Sequence, residues 1–252
     1  MRIKGLLIDL DGTLYVGEEP VAGAREAVET LKGSGLAVRY VTNTTRKPRR
    51  LVREHLLSLG FDVQETEIFT PAHAAAGRIG AGSCFALVDD SLLEDLGGAT
   101  VTDDHPDFVL VGDLGEGFTY DRLNSAFRQL MDSADLLALQ KNKFWRTGDG
   151  ISLDAGPFVA ALEYASGKTA SVVGKPEKAF FRLALQDLGL GANEVAMVGD
   201  DAEADVIGAK KAGLKGIQVR TGKWQADTIE ADLVIASVAD LPEALEFEGG
   251  EG

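Results

Sequence analysis

Near the start of the chain the apolar run Leu6-Leu7-Ile8 passes without a spacer into Asp9-Leu10-Asp11-Gly12-Thr13. Consecutive apolar residues of this kind suit a strand buried on both faces of a parallel sheet. The two acids then stand at its carboxyl end, where an unpaired carboxylate is strongly disfavoured unless a cation or hydrogen-bond donors meet it. In open α/β sheets the crevice beyond the carboxyl ends of the strands is also where ligands bind. Taken alone, the stretch has an ordinary alternative: a strand followed by an acidic turn, with Gly12 supplying a positive φ.

The rest of the chain repeats the pattern. Residues 21–31 carry apolar side chains at helical spacing and end at Lys32-Gly33-Ser34-Gly35. A strand over 37–41 stops at Thr42-Asn43-Thr44-Thr45. A basic amphipathic helix is expected over 49–60, and Ile68-Phe69-Thr70-Pro71 leads into the small-residue stretch 72–80. From about residue 77 the texture changes. Strand-like CFALVDD, a short helix SLLEDLGG, strand-like DFVLVGDL, a helix YDRLNSAFRQLMDS, strand-like DLLALQ, an aromatic and basic stretch 141–146 and a helix 156–166 make a unit of their own. The first pattern then resumes. A strand over 170–173 enters Gly174-Lys175-Pro176-Glu177, a helix follows over 178–188, and a strand over 194–198 ends in Gly199-Asp200-Asp201, with Asp205 one helical turn later. A helix over 202–212 and a strand at 217–219 lead to Thr221-Gly222-Lys223, and the acidic, glycine-rich tail from Glu246 is expected to fray. The alternation predicts an α/β protein: a Rossmann-like, doubly wound parallel sheet built from residues 1–76 and 172–252, interrupted by an inserted α/β domain at 77–171.

Composition narrows the partners. Lys and Arg number 25 against 40 Asp and Glu, a net charge of -15. Such a surface repels nucleic-acid backbones and anionic membranes, so neither is expected as a partner. A phosphate site on it must rely on local cations: a metal, a lysine or helix N-termini. The single cysteine, Cys84, lies in an apolar run, reads as a core residue and excludes an internal disulfide, which suits the cytoplasm. No apolar run approaches a membrane span, and the three histidines lack ligand spacing for zinc.

Four expected strand ends thus carry polar groups: Asp9 and Asp11; Thr42 and Asn43; Lys175; and Asp200 with Asp201 and Asp205. Right-handed crossovers would align these ends along one edge of a sheet. Carboxylates, one lysine and short hydroxyl or amide donors suit Mg2+ beside a phosphate, because a hard cation takes oxygen ligands. Singly, Thr42-Asn43 reads as a turn or cap, Lys175 as a loop lysine, Asp200-Asp201 as an N-cap with an exposed neighbour and Asp205 as surface charge. Their agreement on one chemistry outweighs those separate explanations.

The segments DLDGTLY, VTNTT, VVGKPEK and GDDAEAD, in this order, resemble the four motifs of the haloacid dehalogenase superfamily of phosphatases. The insert resembles the type C2 cap of its NagD-like subclass. FTYDRLNSAF and GPFVAALEYASG within it are similar to the group that includes the phospholysine phosphohistidine inorganic pyrophosphate phosphatases. Some animal members of that group have Ser at the second position of the first motif, where Asp11 here keeps the acid. The resemblance implies Asp9 as nucleophile, Asp11 as general acid and base, and Mg2+ held by Asp9, Asp11 (through its carbonyl) and Asp200. It further implies phosphate contacts from Thr42, Asn43, Lys175 and the backbone amides that begin at Leu10, with Asp205 and Asp201 behind them as orienting groups.

The expected activity is therefore Mg2+-dependent hydrolysis of a small phosphorylated metabolite. Lys141, Lys143, Phe144, Trp145 and Arg146, which combine cations and rings, are candidates for reaching the leaving group; a surface strand of mixed composition is the alternative. The apolar helices of the insert offer a face through which a homodimer could form. Two other readings stay open at this point, a phospho-receiver-like signalling domain, which would lack the insert, and a catalytically silent binding protein on the same fold.

Overall fold

The computed structural model describes residues 3–147, 150–225 and 230–249, with only the backbone described at 145–147 and 246–249. In chain order the strands are β1 (Gly5–Asp9), the short antiparallel pair β2 (Tyr15–Val16) and β3 (Glu19–Pro20), β4 (Ala37–Val41) and β5 (Ile68–Phe69). Next come β6 (Ser83–Leu87), β7 (Thr100–Val101), β8 (Phe108–Val111), β9 (Asp135–Ala138), β10 (Phe144–Thr147), β11 (Gly150–Leu153) and β12 (Ser171–Val172). The last are β13 (Val195–Gly199), β14 (Lys215–Val219) and β15 (Leu233–Ile235). The fold is α/β, and the chain divides into two compact units: the first holds the chain up to Thr42, Arg49–Phe69 and everything from Lys175, and the second holds Asn43–Pro48 and Thr70–Gly174.

The first unit is built on a parallel sheet in the order β15-β14-β13-β1-β4-β5. β1 is central because Leu6, Leu7 and Ile8 are fully buried. Each contributes about 1.5–3 kcal/mol relative to an exposed side chain. Strand order reverses at β1: the chain steps outward through β4 and β5, then returns to β13 on the other side. That reversal marks the place where α/β sheets leave a crevice beyond the strand ends. The helix Ala24–Gly33 buries Ala24, Ala27, Val28 and Leu31, the spacing that its sequence predicts.

In the second unit a parallel sheet runs β12-β9-β8-β6-β7, with β10 and β11 as a separate antiparallel hairpin. It has its own core, formed by Phe85, Leu87, Val109, Val111, Ala126, Leu130, Val159 and their neighbours. Cys84 is fully buried here, as its apolar setting predicts, and burial pushes its thiol up to about 11. The helix Pro71–Ile79 belongs to this unit.

Two expectations are corrected. The strand before Lys175 was expected beside the strands that carry the other motifs. Instead β12 pairs with β9, Ser171 opposite Leu137, and the Val173 N–H continues the ladder to the Ala138 carbonyl at 3.0 Å. A strand of two residues, Ser171 and Val172, does not specify the sheet that it joins. The helix expected over 202–212 forms over those residues, as a π-helical turn, Ala202–Ile207, that runs into a short α-helix, Gly208–Ala212. Of the tail expected to fray from Glu246, residues 246–249 instead continue the helix Leu241–Gly249, and 250–252 lie outside the described residues. No described helix is long and apolar enough to cross a membrane.

Candidate active site

Asp9 closes β1, and its Oδ1 accepts a hydrogen bond from the ammonium of Lys175. The same ammonium donates to Asp205 Oδ1 at 2.7 Å. Lys175 is the residue at which the chain re-enters the first unit, joined to Pro176 by a cis peptide bond, ahead of the helix Lys178–Leu188. Asp205 sits in the π-helical turn, where its second oxygen accepts from the Asp201 N–H at 3.2 Å. Asp201 caps that turn by accepting from the N–H groups of Glu203 and Ala204 at 3.1 and 3.0 Å. π-Turns are rare, and many lie at functional sites. Asp200 follows β13 directly and accepts at Oδ2 from the Lys223 N–H at 2.6 Å. One oxygen each from Asp9, Asp200 and Asp205 lies within 4.8 Å of the other two.

Glycines make this crowding feasible. A Cβ on Gly199 would stand 2.1 Å from Asp205 Oδ2, and one on Gly12, whose φ is +90°, would stand 2.1 Å from Asp200 Oδ2. Only a residue without a side chain fits either position.

The charges do not balance. Asp9, Asp200 and Asp205 are all buried, and burial raises each carboxyl above its ordinary range. Lys175 and the Leu10 backbone N–H pull Asp9 back down, as the Lys223 N–H does for Asp200, but burial dominates. Asp205 is pushed up to about 7 by burial against the pull of Lys175, with Asp9 adding to the rise. Burial alone would lower Lys175, yet Asp205 and Asp9 overcome it and hold the ammonium charged. Three buried carboxylates thus face one buried ammonium. An all-oxygen cluster with surplus negative charge is the donor set that a hard divalent cation fits. Because both oxygens of Asp205 already accept hydrogen bonds, Asp9 and Asp200 are the side chains better placed to turn to a cation.

The other expected residues fall as follows. Asp11 is exposed and bridges to Tyr15, and the Gly12 N–H donates to the Tyr15 carbonyl at 2.7 Å. Leu10 is buried, its carbonyl accepting from the Leu14 N–H at 2.8 Å. The Thr42 N–H donates to the Phe69 carbonyl at 3.3 Å, just past the end of β4. Asn43 opens the second unit, where its Oδ1 lies 3.1 Å from the position that a Cβ on Gly174 would take. Lys141 pairs with Glu163 at 2.6 Å, Lys143 is exposed, and Phe144 is exposed on β10. The side chains of Trp145 and Arg146 lie outside the described residues.

The haloacid dehalogenase-like hydrolase family matches residues 6–101, and a HAD-hydrolase-like family matches 172–241. Haloacid dehalogenase-like hydrolase domain-containing protein 2 of Homo sapiens is 44% identical over 90% of this chain and 88% of its own. The chain belongs to the haloacid dehalogenase-like hydrolases. The phospholysine phosphohistidine inorganic pyrophosphate phosphatase of Bos taurus is 38% identical over 96% of this chain and 94% of its own. Among solved structures, NagD from E. coli K-12 superposes with a TM-score of 0.86 at 26% identity, covering 95% of this chain and 98% of that one.

Sequence reading of this hydrolase passed over one part of the cluster. Thr221, Gly222 and Lys223 were read only as the end of a strand, yet they close on Asp200 and Gly12. The available signal was their position: a fifth parallel strand end carrying a hydroxyl, a glycine and a cation.

Proposed function

We propose that this haloacid dehalogenase-class phosphatase hydrolyses a small phosphorylated metabolite through an aspartyl-phosphate on Asp9, with Mg2+ as cofactor. The observation that carries the reading is the buried Lys175 ammonium bonded to Asp9 and Asp205, with Asp200 close by. An oxygen of Asp9 attacks phosphorus as the bond to the leaving oxygen breaks, and Asp11 gives that oxygen its proton. Asp11, now a carboxylate, takes a proton from water, which attacks the phosphoryl group and frees Asp9 and inorganic phosphate. Asp11 is exposed, as a group that exchanges protons with the leaving group and water must be.

The residues that would hold Mg2+ are Asp9 and Asp200 through their carboxylates and Asp11 through its carbonyl; when bound, the ion offsets repulsion between an anionic nucleophile and an anionic ester. Lys175 holds Asp9 in place and presents a compact charge to the phosphate. Thr42, Asn43 and the amide of Leu10 supply phosphate contacts, while Asp205 and Asp201 fix Lys175 and the turn. In this reading residues 1–76 and 172–252 are the catalytic core and 77–171 a C2-type cap. The segment Lys141, Lys143, Phe144, Trp145 and Arg146 selects the leaving group. Exposed Tyr120, Met131 and Tyr164 on the helices Tyr120–Asp132 and Ala155–Ser166 leave a face through which a homodimer could form. A cytoplasmic setting suits the reduced Cys84.

The test is release of p-nitrophenol from p-nitrophenyl phosphate with Mg2+, with a chelator, and by Asp9→Asn. Turnover only in the first sample supports the reading, and equal turnover in all three rejects it. A panel of sugar phosphates, pyridoxal phosphate, nucleotides, pyrophosphate, phospholysine and phosphohistidine then identifies the substrate.

A further inference from the structure

The sheet order puts β14, β13 and β1 side by side, so Asp200, at the end of β13, is flanked by the chain leaving β14 and the turn after β1. The loop that leaves β14 crosses between them. Thr221 Oγ1 donates to the Gly12 carbonyl at 2.5 Å, and the Lys223 N–H donates to Asp200 Oδ2 at 2.6 Å. Between these two bonds lies Gly222, with φ +59°, where a Cβ would come within 2.1 Å of Asp200 Oδ2 and 2.6 Å of the Gly12 Cα. Backbone therefore closes on the carboxylate from both sides. The side chain of Lys223 turns outward, 71% exposed, to meet Asp201 Oδ2 at 3.3 Å.

The geometry points to Thr221, Gly222 and Lys223 as a positioning element that orients the Asp200 carboxylate for a divalent cation. This rests on the reading of Asp200 as a metal ligand given above. The Thr221 hydroxyl anchors the loop to the Asp9–Gly12 turn, and the Lys223 amide engages Oδ2 of Asp200, leaving Oδ1 without a hydrogen bond among the described residues. The contribution of Lys223 comes from its backbone, which separates this role from a purely electrostatic one.

The experiment is titration of the full-length protein with Mn2+, read as loss of the free-ion electron paramagnetic resonance signal, with circular dichroism confirming the fold. Thr221→Val and Lys223→Pro, which each delete one of the two bonds, are expected to weaken Mn2+ binding about 10- to 100-fold, the range typical of groups that orient metal ligands. Thr221→Ser restores affinity. Lys223→Ala keeps the N–H and removes a nearby positive charge, so it binds at least as tightly as the parent. Wild-type affinity in both Thr221→Val and Lys223→Pro overturns the inference, as does a loss in Lys223→Ala equal to that in Lys223→Pro. Should one variant fail to fold, the other decides. A parent protein that binds no Mn2+ overturns the metal reading itself and this inference with it, an outcome distinct from parent binding that the variants leave unchanged.

Discussion

Lys175 Nζ and Asp205 Oδ1 meet at 2.7 Å with their side chains only 3% and 1% exposed. The ammonium is the single buried cation among three buried carboxylates in the described cluster, so its loss leaves charges that solvent does not reach. Lys175→Met is therefore expected to lower the stability of the metal-free protein by about 3–5 kcal/mol, the usual cost of breaking a buried pair. Urea unfolding of the first unit, followed with and without Mg2+, measures it. A loss below about 1 kcal/mol contradicts the buried pairing.

Asp205 gives the metal-free protein a pH dependence of defined sign. Its folded-state carboxyl is pushed up to about 7, so the folded state binds more protons than the unfolded state from the ordinary carboxylate range up to that value. Stability contributed at this site consequently falls as pH rises from about 4 to about 7. Lys175 stays protonated in both states throughout that window. The thermal midpoint of the metal-free protein should decline between pH 5 and pH 7.5 more steeply in the parent than in Asp205→Asn. Parallel profiles would contradict the prediction.

Asp200 separates stability from activity. Its burial raises the carboxyl, and its hydrogen bond among the described residues comes from the Lys223 backbone N–H, which an amide oxygen accepts equally well. Asp200→Asn is expected to raise the metal-free melting temperature by about 3 °C or more and to abolish the further rise on adding Mg2+. Calorimetry with and without Mg2+ reads both effects, and phosphate release should be lost in parallel.

In the second unit Arg46 grips Asp113 with two nitrogens, Nε to Oδ2 and Nη2 to Oδ1, the latter at 3.1 Å, and the Gly115 N–H adds a bond to Oδ1 at 3.0 Å. Asp113 is buried, and its hydrogen bond raises the already basic guanidinium. Arg46→Ala should cost about 1–3 kcal/mol by leaving Asp113 short of donors. Arg46→Lys recovers only part of that, because an ammonium cannot form the paired contact. Hydrogen exchange at Gly115 and its neighbours reports the change locally.

Much of this was legible before any coordinates. The unbroken apolar runs at Leu6-Leu7-Ile8 and Val195–Val198 announce buried parallel strands, and the acids that end them announce a polar edge. The partner sheet of Ser171–Val172 was not legible, since pairing depends on the tertiary placement of β9 rather than on the two residues themselves. Thr221–Lys223 escaped notice for a different reason. Its work is done by an amide, a hydroxyl and a missing Cβ, none of which gives a charge pattern to read. The short strands β7 and β15 carry too few residues for periodicity to register, and Asp205 looks like surface charge until the π-turn directs it inward.

The central strand also imposes an order on biosynthesis. Gly5 at the start of β1 pairs with Val195, so one flank of the first unit's most buried strand waits until a strand 190 residues later has left the ribosome. Residues 70–174, with a sheet and an apolar core of their own, end 21 residues ahead of Val195 and so emerge first. During translation the nascent chain thus carries a finished interior module while Leu6, Leu7 and Ile8 have only β4 beside them, so the apolar flank that β13 will cover is bare until then.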